Sequence, residues 1–329
     1  MTRVRHARGS LAREGMVERA IVLLAAIALD LLVGEPRGGL HPVGWIGSAI
    51  DRLERRAPGP ERARSLPYGI AATLSLTVAS AAAGLLAARA LRSGPRPVRI
   101  LTLACLLKPS FALRALIAAG SDVRRALERD DLGRAREALR SLVSRETAGL
   151  SAEECAAATI ESLAENTADS FVSPWLAFLA FGLPGAWAFR AVNTLDSRWG
   201  YRGRYEWLGR TPAVLDDALA AVPARASAIL LIAAAWLTGN SAGGAVHALV
   251  DDRTRTPSPN AGWTIAAMAG ALGCRLAKPG VYTLNARGGA CGAGDVARAQ
   301  RLVAVSAALG LATVLPLVLL GSRGKPSSP

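Results

Sequence analysis

The feature that most constrains this chain is a series of long apolar runs. Five of them carry almost no charge, and they cover residues 20–33, 68–88, 171–192, 226–239 and 302–321. A helix needs about 20 mostly apolar residues to cross the hydrocarbon core of a bilayer. Residues 68–88 and 302–321 reach that length without a charged side chain. Buried helices of a soluble core do not explain so many runs, and together they predict a polytopic helical membrane protein.

One of the apolar runs is interrupted. Residues 171–192 contain the string GLPG, which places Gly182 and Pro184 inside a hydrophobic segment. Such residues indicate a broken or re-entrant helix, which is tolerated where protein or water satisfies the freed backbone groups. We therefore expect an all-α fold, a polytopic integral membrane helical bundle with broken or re-entrant segments. A hairpin at this break would keep the polar segments 121–170 and 193–219 on one face of the membrane.

A soluble-looking insert lies between the apolar runs, over residues 121–169. Its apolar side chains recur at helical spacing from Val123 to Leu142, which predicts a helix over that stretch. Ser151, in the string SAEE, predicts the N-cap of a second helix with acidic residues in its first turn, running towards Asn166. The insert is therefore expected to be helical and cytoplasmic.

The remaining boundaries follow from composition. We expect one membrane-embedded domain over 20–321, a basic N-terminal tail over 1–19 and a disordered tail over 322–329. No small-residue cleavage site follows the first apolar run, so we interpret that run as retained and not as a signal peptide.

The net charge of +14 comes almost wholly from arginine. Arginine-rich loops suit a cytoplasmic face beside anionic lipid, which predicts a multi-pass protein of the cell (inner) membrane surrounded by the lipid bilayer. No nucleic-acid-binding motif is present, so we expect no nucleic-acid partner. The four cysteines form no CxxC pair, which predicts reduced, structural thiols and neither zinc ligands nor disulfides.

Three carboxylates form a stripe directly before an apolar run. Glu161, Glu165 and Asp169 follow each other at intervals of four residues, which places them on one face of the predicted second helix. Like charges at this spacing repel, so a positive group should compensate them. The pattern leaves two interpretations open, a solvated acidic face and a functional site.

Other polar clusters stand where apolar residues would be expected. The string LDLLVGEPRGGLHPVGWIG contains Asp30, Glu35, His41 and Trp45, and an acid inside an apolar helix is costly and marks a candidate functional residue. Two later clusters, over 191–225 and 256–273, add carboxylates, arginines, asparagines and serines. Oxygen ligands with guanidinium groups are typical of Mg²⁺ and polyphosphate sites. Transport is an equal alternative, because intramembrane acids and broken helices also mark transporters.

GxxxxGK[ST] and HExxH are both missing from the sequence, so neither of these generic catalytic motifs decides between the alternatives. Longer strings are more specific. LDLLVGEPRGGLHPVGWIG, ESLAENTADSFVSP, AVNTLDSRWGYR, LDDALAAVPAR and SPNAGWTIAAMAGALG occur in that order. Together they resemble the CbiB/CobD family of cobalamin biosynthesis, and the resemblance extends from about residue 20 to about residue 320.

The resemblance implies an integral membrane ligase, adenosylcobinamide-phosphate synthase. Such an enzyme joins adenosylcobyric acid to aminopropanol phosphate or ethanolamine phosphate through an amide bond, with ATP and Mg²⁺. The resemblance also implies two kinds of protein partner, other late membrane enzymes of the pathway and a second copy of the chain. By position, Glu161, Glu165, Asp169 and Asp196 are the expected catalytic residues, and the same four with Asp217 are the expected metal ligands. The expected substrate- and phosphate-binding residues are Asp30, Glu35, His41, Trp45, Arg145, Asn166, Asn193, Arg198, Tyr201, Arg202, Arg225, Ser258 and Asn260.

The sequence departs from the family pattern at identifiable positions. Thr264 and Ile265 stand where the family has Pro-Glu after SPNAGW, so it stays open whether this segment has a role in catalysis. Glu35 replaces an aspartate, a milder change. A membrane sensor or regulator of the AmpE-like type, or a corrinoid or solute transporter, is the alternative to a synthase.

Overall fold

The computed structural model describes residues 2–34, 42–201 and 203–322, and within these ranges the chain is almost entirely helical. The helices are α1 Thr2–Val33, α2 Pro42–Arg55, α3 Arg62–Ala90, α4 Arg96–Leu107, α5 Leu113–Leu127, α6 Leu132–Leu139, α7 Ala152–Thr167, α8 Ser173–Phe181, α9 Leu183–Trp199, α10 Arg210–Leu237, α11 Ala242–Asp252, α12 Ala261–Leu272 and α13 Ala293–Ser322. A 3₁₀ turn spans Lys108–Ser110, a π-helical turn spans Ala168–Val172, and β1 (Leu276–Lys278) pairs antiparallel with β2 (Tyr282–Leu284).

The protein is an all-α polytopic membrane protein, as the sequence predicted. Among the described residues, four helical segments are long and apolar enough to cross a bilayer: Arg62–Ala90, Arg96–Leu127, Arg210–Leu237 and Ala293–Pro316. Side chains such as Leu74 and Val78 of α3 are more than half exposed, which suits contact with lipid. The apolar run 171–192 is not among these segments, because it is divided between α8 and α9.

The predicted break in that run is confirmed at Gly182. Its φ of 71° and ψ of −159° belong to a backbone region that is essentially restricted to glycine. The last carbonyls of α8 have no partner within the helix, and Arg19 satisfies two of them. Its Nη1 donates to the carbonyl oxygens of Leu179 at 2.9 Å and Ala180 at 2.8 Å. A partly exposed cation therefore compensates the helix end that the glycine creates.

The insert contains two helices where the sequence predicted one over 123–142. Helix α5 begins earlier, at Leu113, and ends at Leu127, and α6 starts only at Leu132. The reason is local. Asp130 adopts a left-handed φ of 55°, which aspartate tolerates better than most residues, and the Asp131 side chain caps α6 by accepting from the Arg134 amide at 2.9 Å.

The start of α7 agrees with the prediction. The Ser151 hydroxyl accepts from the Glu154 amide at 3.1 Å, and the Glu154 carboxylate accepts from the Ser151 amide at 2.7 Å. This reciprocal capping box satisfies two backbone donors that a helix N-terminus otherwise leaves open. Helix α7 therefore has a fixed first residue and a fixed register for the acidic side chains that follow.

The chain divides into two compact units. Unit 1 takes the described residues of 1–111, 174–216 and 310–329, and unit 2 takes 112–173 and 217–309. A core around Ile50, Leu195 and Trp199 belongs to unit 1. In unit 2, Val123, Leu139 and Cys155 are fully buried where α5, α6 and α7 meet.

Helices α11 and α12 of unit 2 cross at very short range. A Cβ atom added to Gly270 would lie 2.1 Å from the Gly244 carbonyl oxygen, and one added to Gly244 would lie 2.6 Å from that of Gly270. Only glycine at both positions permits this approach. Helix α12 also packs against α7, the helix that carries Glu161 and Glu165.

Candidate functional site

The predicted site residues are distributed over both units. Unit 1 holds Asp30, Trp45, Asn193, Asp196, Arg198 and Tyr201, and unit 2 holds Arg145, Glu161, Glu165, Asn166, Asp169, Asp217, Arg225, Ser258 and Asn260. The predictions for Glu35, His41 and Arg202 fall outside the described residues.

The acidic stripe of unit 2 is not a solvated face at Glu161. That side chain is buried, and Arg145 Nη2 lies 3.4 Å from its Oε2. Tyr282 lies near the same carboxylate. Burial, and then the negative charge of Glu161, raise the pKa of Tyr282 far above its ordinary value. The phenol therefore stays protonated, and the guanidinium of Arg145 is the positive group that compensates Glu161.

Tyr282 is a residue that the sequence interpretation missed. It is the first residue of β2 and pairs with Lys278 across a turn formed by Pro279 and Gly280. The Val281 amide donates to the Lys278 carbonyl at 2.9 Å, and Gly280 has a φ of 72°, as a type II turn with Pro-Gly at its centre requires. The string KPGV between two short apolar stretches was the available signal for this hairpin.

Asp169 departs from the predicted helical face. Helix α7 gives way to a π-helical turn over Ala168–Val172, in which i→i+5 bonding adds a residue to the turn. The spacing of four residues from Glu165 therefore no longer places Asp169 in α-helical register with it, whereas Glu161 and Glu165 remain one turn apart. At this junction Asn166 donates to the Ser162 carbonyl at 3.0 Å, and the Ser170 hydroxyl donates to Asn166 Oδ1 at 2.7 Å. The amide of Asn166 thus holds the turn together.

A second polar group of unit 2 connects α10 to the loop before α12. Asp217 Oδ1 accepts from the Ser258 hydroxyl at 3.2 Å and from Asn260 Nδ2 at 3.3 Å, and Asn260 Nδ2 also donates to the Asp217 carbonyl at 2.7 Å. Arg225 Nη1 donates to Asn260 Oδ1 at 3.3 Å. Four predicted site residues, Asp217, Arg225, Ser258 and Asn260, are therefore brought together.

The residues that depart from the family pattern have a structural role. Thr264 and Ile265 of α12 are each only 1% exposed. Ile265 packs as an apolar core side chain, and a glutamate at this position would be buried inside unit 2. The polar cluster over 256–273 therefore presents its polar groups at residues 258–260 and not on the buried part of α12.

In unit 1, Asn193 lies between two charged side chains. Its Nδ2 donates to Asp216 Oδ1 at 3.3 Å, and Arg190 Nη1 donates to its Oδ1 at 3.4 Å. Arg190 and Trp45 both line a mostly apolar cavity of about 200 Å³. The sequence interpretation did not single out Arg190, although a charged residue inside the apolar run 171–192 was the signal.

The other predicted residues of unit 1 have varied surroundings. Asp30 is buried, and its Oδ1 lies 3.4 Å from Lys108 Nζ. Arg198 Nη2 lies 2.6 Å from Asp51 Oδ1, so its charge is balanced within the unit. Asp196 precedes the end of α9, and Tyr201, beyond it, is exposed.

The four cysteines are free thiols, as expected. Within the residues that the structure describes, no three His, Cys, Asp or Glu side chains gather closely enough to form a metal cage. Mg²⁺ usually binds through one or two carboxylates together with water and substrate phosphates. The neighbouring carboxylates Glu161 and Glu165 fit that smaller donor set, and Asp217 is a further oxygen donor of the same unit.

Comparison with known proteins gives one consistent result. The family described as CobD/Cbib protein matches residues 23–309. A cobalamin biosynthesis protein CobD of Dehalococcoides mccartyi is 38% identical over 82% of this chain and 87% of its own length. A probable cobalamin biosynthesis protein CobD of Methanothermobacter thermautotrophicus is 41% identical over 80% and 86%, and the CobD protein of Mycobacterium tuberculosis is 38% identical over 80% and 82%. No solved structure matches the chain.

Proposed function

The chain belongs to the CobD/CbiB family of cobalamin biosynthesis proteins, and on that premise we propose that it is a ligase that forms the amide bond of adenosylcobinamide phosphate. Its substrates are adenosylcobyric acid, an amino-alcohol phosphate and ATP. The ATP-consuming site faces the cytoplasm from the inner membrane, a placement that the arginine-rich loops support.

The chemistry of the proposed reaction sets what the site must supply. A carboxylate is a poor acyl donor, so the γ-phosphoryl group of ATP is transferred to it, which gives an acyl phosphate and ADP. The amine then attacks the acyl carbon, the C–O bond to phosphate breaks, and the products are the amide, inorganic phosphate and one proton. Mg²⁺ neutralises charge on the transferring phosphoryl group when it is bound. The protein has to hold the anions and accept the proton.

The contacts of Glu161 carry this proposal. Because Arg145 pairs with Oε2 of Glu161, we assign Glu161 the role of fixing α7, and we assign its other oxygen, Oε1, to the metal. Glu165, one turn further along α7, is then the candidate general base for the amine. Asp169 and Asp217, which also belong to unit 2, complete the proposed set of oxygen donors.

The group around Asn260 supplies the phosphate-binding part of the proposal. Arg225 provides a guanidinium, and the Ser258 hydroxyl and Asn260 amide are neutral donors, which together suit phosphate oxygens. Asp217 orients both neutral side chains by accepting their hydrogen bonds. In unit 1, Asn193 and Arg190 beside the apolar cavity are the matching candidates for the corrinoid.

The test is turnover by Glu165→Gln in purified protein. The assay contains adenosylcobyric acid, ATP, Mg²⁺ and ethanolamine phosphate or aminopropanol phosphate, and mass spectrometry follows the amide product. Loss of a general base lowers the rate by about 10²–10⁴-fold. Glu128→Gln is the matched control, because Glu128 pairs with Arg124 on the surface of α5. Unchanged turnover and Mg²⁺ dependence in Glu165→Gln would refute the base, and no product from the native protein would favour a sensor or transporter.

A further inference from the structure

Two arginines of unit 2 converge on one indole ring. The guanidinium carbon of Arg225 lies 4.5 Å from the centroid of the Trp263 ring, and that of Arg253 lies 5.4 Å from it. Arg225 comes from α10, Arg253 follows α11, and Trp263 is in the first turn of α12. Both distances are within the range of a cation–π interaction. Arg225, which the sequence interpretation assigned to phosphate binding, therefore meets Arg253 and Trp263, which it did not single out.

The two charges are not balanced by a direct ion pair. Among the described residues, neither Arg225 nor Arg253 lies within ion-pair distance of a carboxylate. Arg255, two residues after Arg253, does form an ion pair, because its Nε lies 3.0 Å from Asp252 Oδ1. The carboxylate of Asp217 is linked to Arg225 only through Asn260. Two cations therefore share the indole ring, and in the part of the chain that the structure describes neither is paired directly with a carboxylate.

The backbone holds this arrangement in place. A Cβ atom added to Gly262 would lie 2.0 Å from the Arg253 carbonyl oxygen, so the first turn of α12 rests directly on the backbone at residue 253. Glycine at 262 is what permits Trp263 to lie beside Arg253. Arg253 Nη1 donates to the Val250 carbonyl at 2.8 Å, and Arg225 Nη1 donates to Asn260 at 3.3 Å. Each guanidinium has five N–H donors, and these bonds use only part of them.

We infer that Arg225, Arg253 and Trp263 form a binding site for a dianionic phosphate monoester. Such a group carries a charge of about −1.5 to −2 at pH 7 and three acceptor oxygens, which match two guanidinium forks. A phosphodiester, as in a lipid headgroup, carries one charge and leaves one arginine unbalanced. The identification of the ligand as the amino-alcohol phosphate rests on the proposed function, whereas the phosphate chemistry rests on the two arginines.

The experiment is calorimetric titration of the full-length protein in neutral detergent with ethanolamine phosphate, without ATP or corrinoid. We expect Arg225→Gln and Arg253→Gln each to weaken binding by about tenfold or more, because each removes a charge-assisted hydrogen bond. Arg253→Lys keeps the charge but loses the fork, and we expect an intermediate affinity. Arg255→Gln is the matched control and should stay within about twofold of the native affinity. Thermal unfolding of each variant shows whether it is folded.

The outcomes separate this site from the proposed reaction. Equal affinity in all the folded variants would overturn the inference even if turnover were intact. Binding that depends on both arginines would support the site even if the native protein made no amide product. To distinguish the source of the phosphate, the titration is repeated in nanodiscs of phosphatidylcholine and of phosphatidylglycerol. Loss of ethanolamine phosphate binding only in phosphatidylglycerol would assign the site to a lipid headgroup and overturn the monoester.

Discussion

The pairing of Arg145 with Glu161 gives the most demanding test of the candidate site. Replacing Arg145 by methionine keeps most of the apolar stem and removes the guanidinium that lies 3.4 Å from the carboxylate. Glu161 would then be a buried acid without its guanidinium partner. We expect a large loss in the free energy of unfolding, because a buried charge without its partner is strongly unfavourable.

The magnitude follows from distance and exposure. At 3.4 Å, and with an effective dielectric constant of about 20, the Coulomb attraction is about 5 kcal/mol before desolvation is subtracted. Breaking a buried pair by removing one partner costs about 3–5 kcal/mol. The side chain of Arg145 is 21% exposed and that of Glu161 is 11% exposed, so water screens the pair in part. We therefore expect a loss of about 3 kcal/mol.

A double-mutant cycle is the appropriate measurement. Unfolding free energies are determined in mixed micelles by denaturant titration for Arg145→Met, Glu161→Gln and the double variant. Glutamine removes the charge of Glu161 and keeps nearly its shape, so the double variant should lose less than the sum of the single changes, with a coupling of about 1–3 kcal/mol. Arg140→Met, at an exposed position, should change stability by less than about 0.5 kcal/mol. Additivity of the two single changes within about 0.5 kcal/mol would refute the pairing.

Three further predictions concern the framework, and the same titration measures each of them. Ser151→Ala removes the capping box of α7 and should destabilise the protein by about 1 kcal/mol. Ser141→Ala, at an exposed position, is the control, and equal effects of the two changes would contradict the cap. Gly182→Ala places a side chain in a backbone conformation that is essentially restricted to glycine, and it should lower the free energy of unfolding by about 1–3 kcal/mol. A neutral result would show that the break between α8 and α9 tolerates other backbone angles. Lys108→Met removes the cation beside the buried Asp30 and should lower the free energy of unfolding by about 3–5 kcal/mol. Lys108→Arg keeps a positive charge and should lose less. Equal losses in the two variants would argue against the ion pair.

Features with a local cause were predictable from the sequence. The apolar runs, the break at Gly182 and the N-cap at Ser151 each depend on residues within a few positions of one another. The split between α5 and α6 also had a local signal, since Asp130 and Asp131 supply a left-handed residue and a cap, but the helical spacing of the apolar side chains concealed it.

Features that depend on distant residues were not predictable from one sequence. Tyr282 lies more than a hundred positions after Glu161, and nothing near either residue indicates that they meet. Arg253 lies close to Trp263 in sequence, but the contact depends on how the glycine at 262 allows α12 to approach. The π-helical turn over Ala168–Val172 likewise corresponds to no recognisable sequence pattern.

The shortness of α12 has a consequence for how the protein is made. Its 12 residues span about 18 Å at about 1.5 Å per residue, well below the roughly 30 Å of a bilayer core, and ten of them are buried. A segment of this length cannot be inserted and held as an independent span during synthesis. It reaches its place only when α7 and α11 are already there to receive it. The polar residues at its start are therefore assembled by folding that follows membrane insertion, so a defect in the Gly244–Gly270 crossing would yield a protein that is inserted but incomplete.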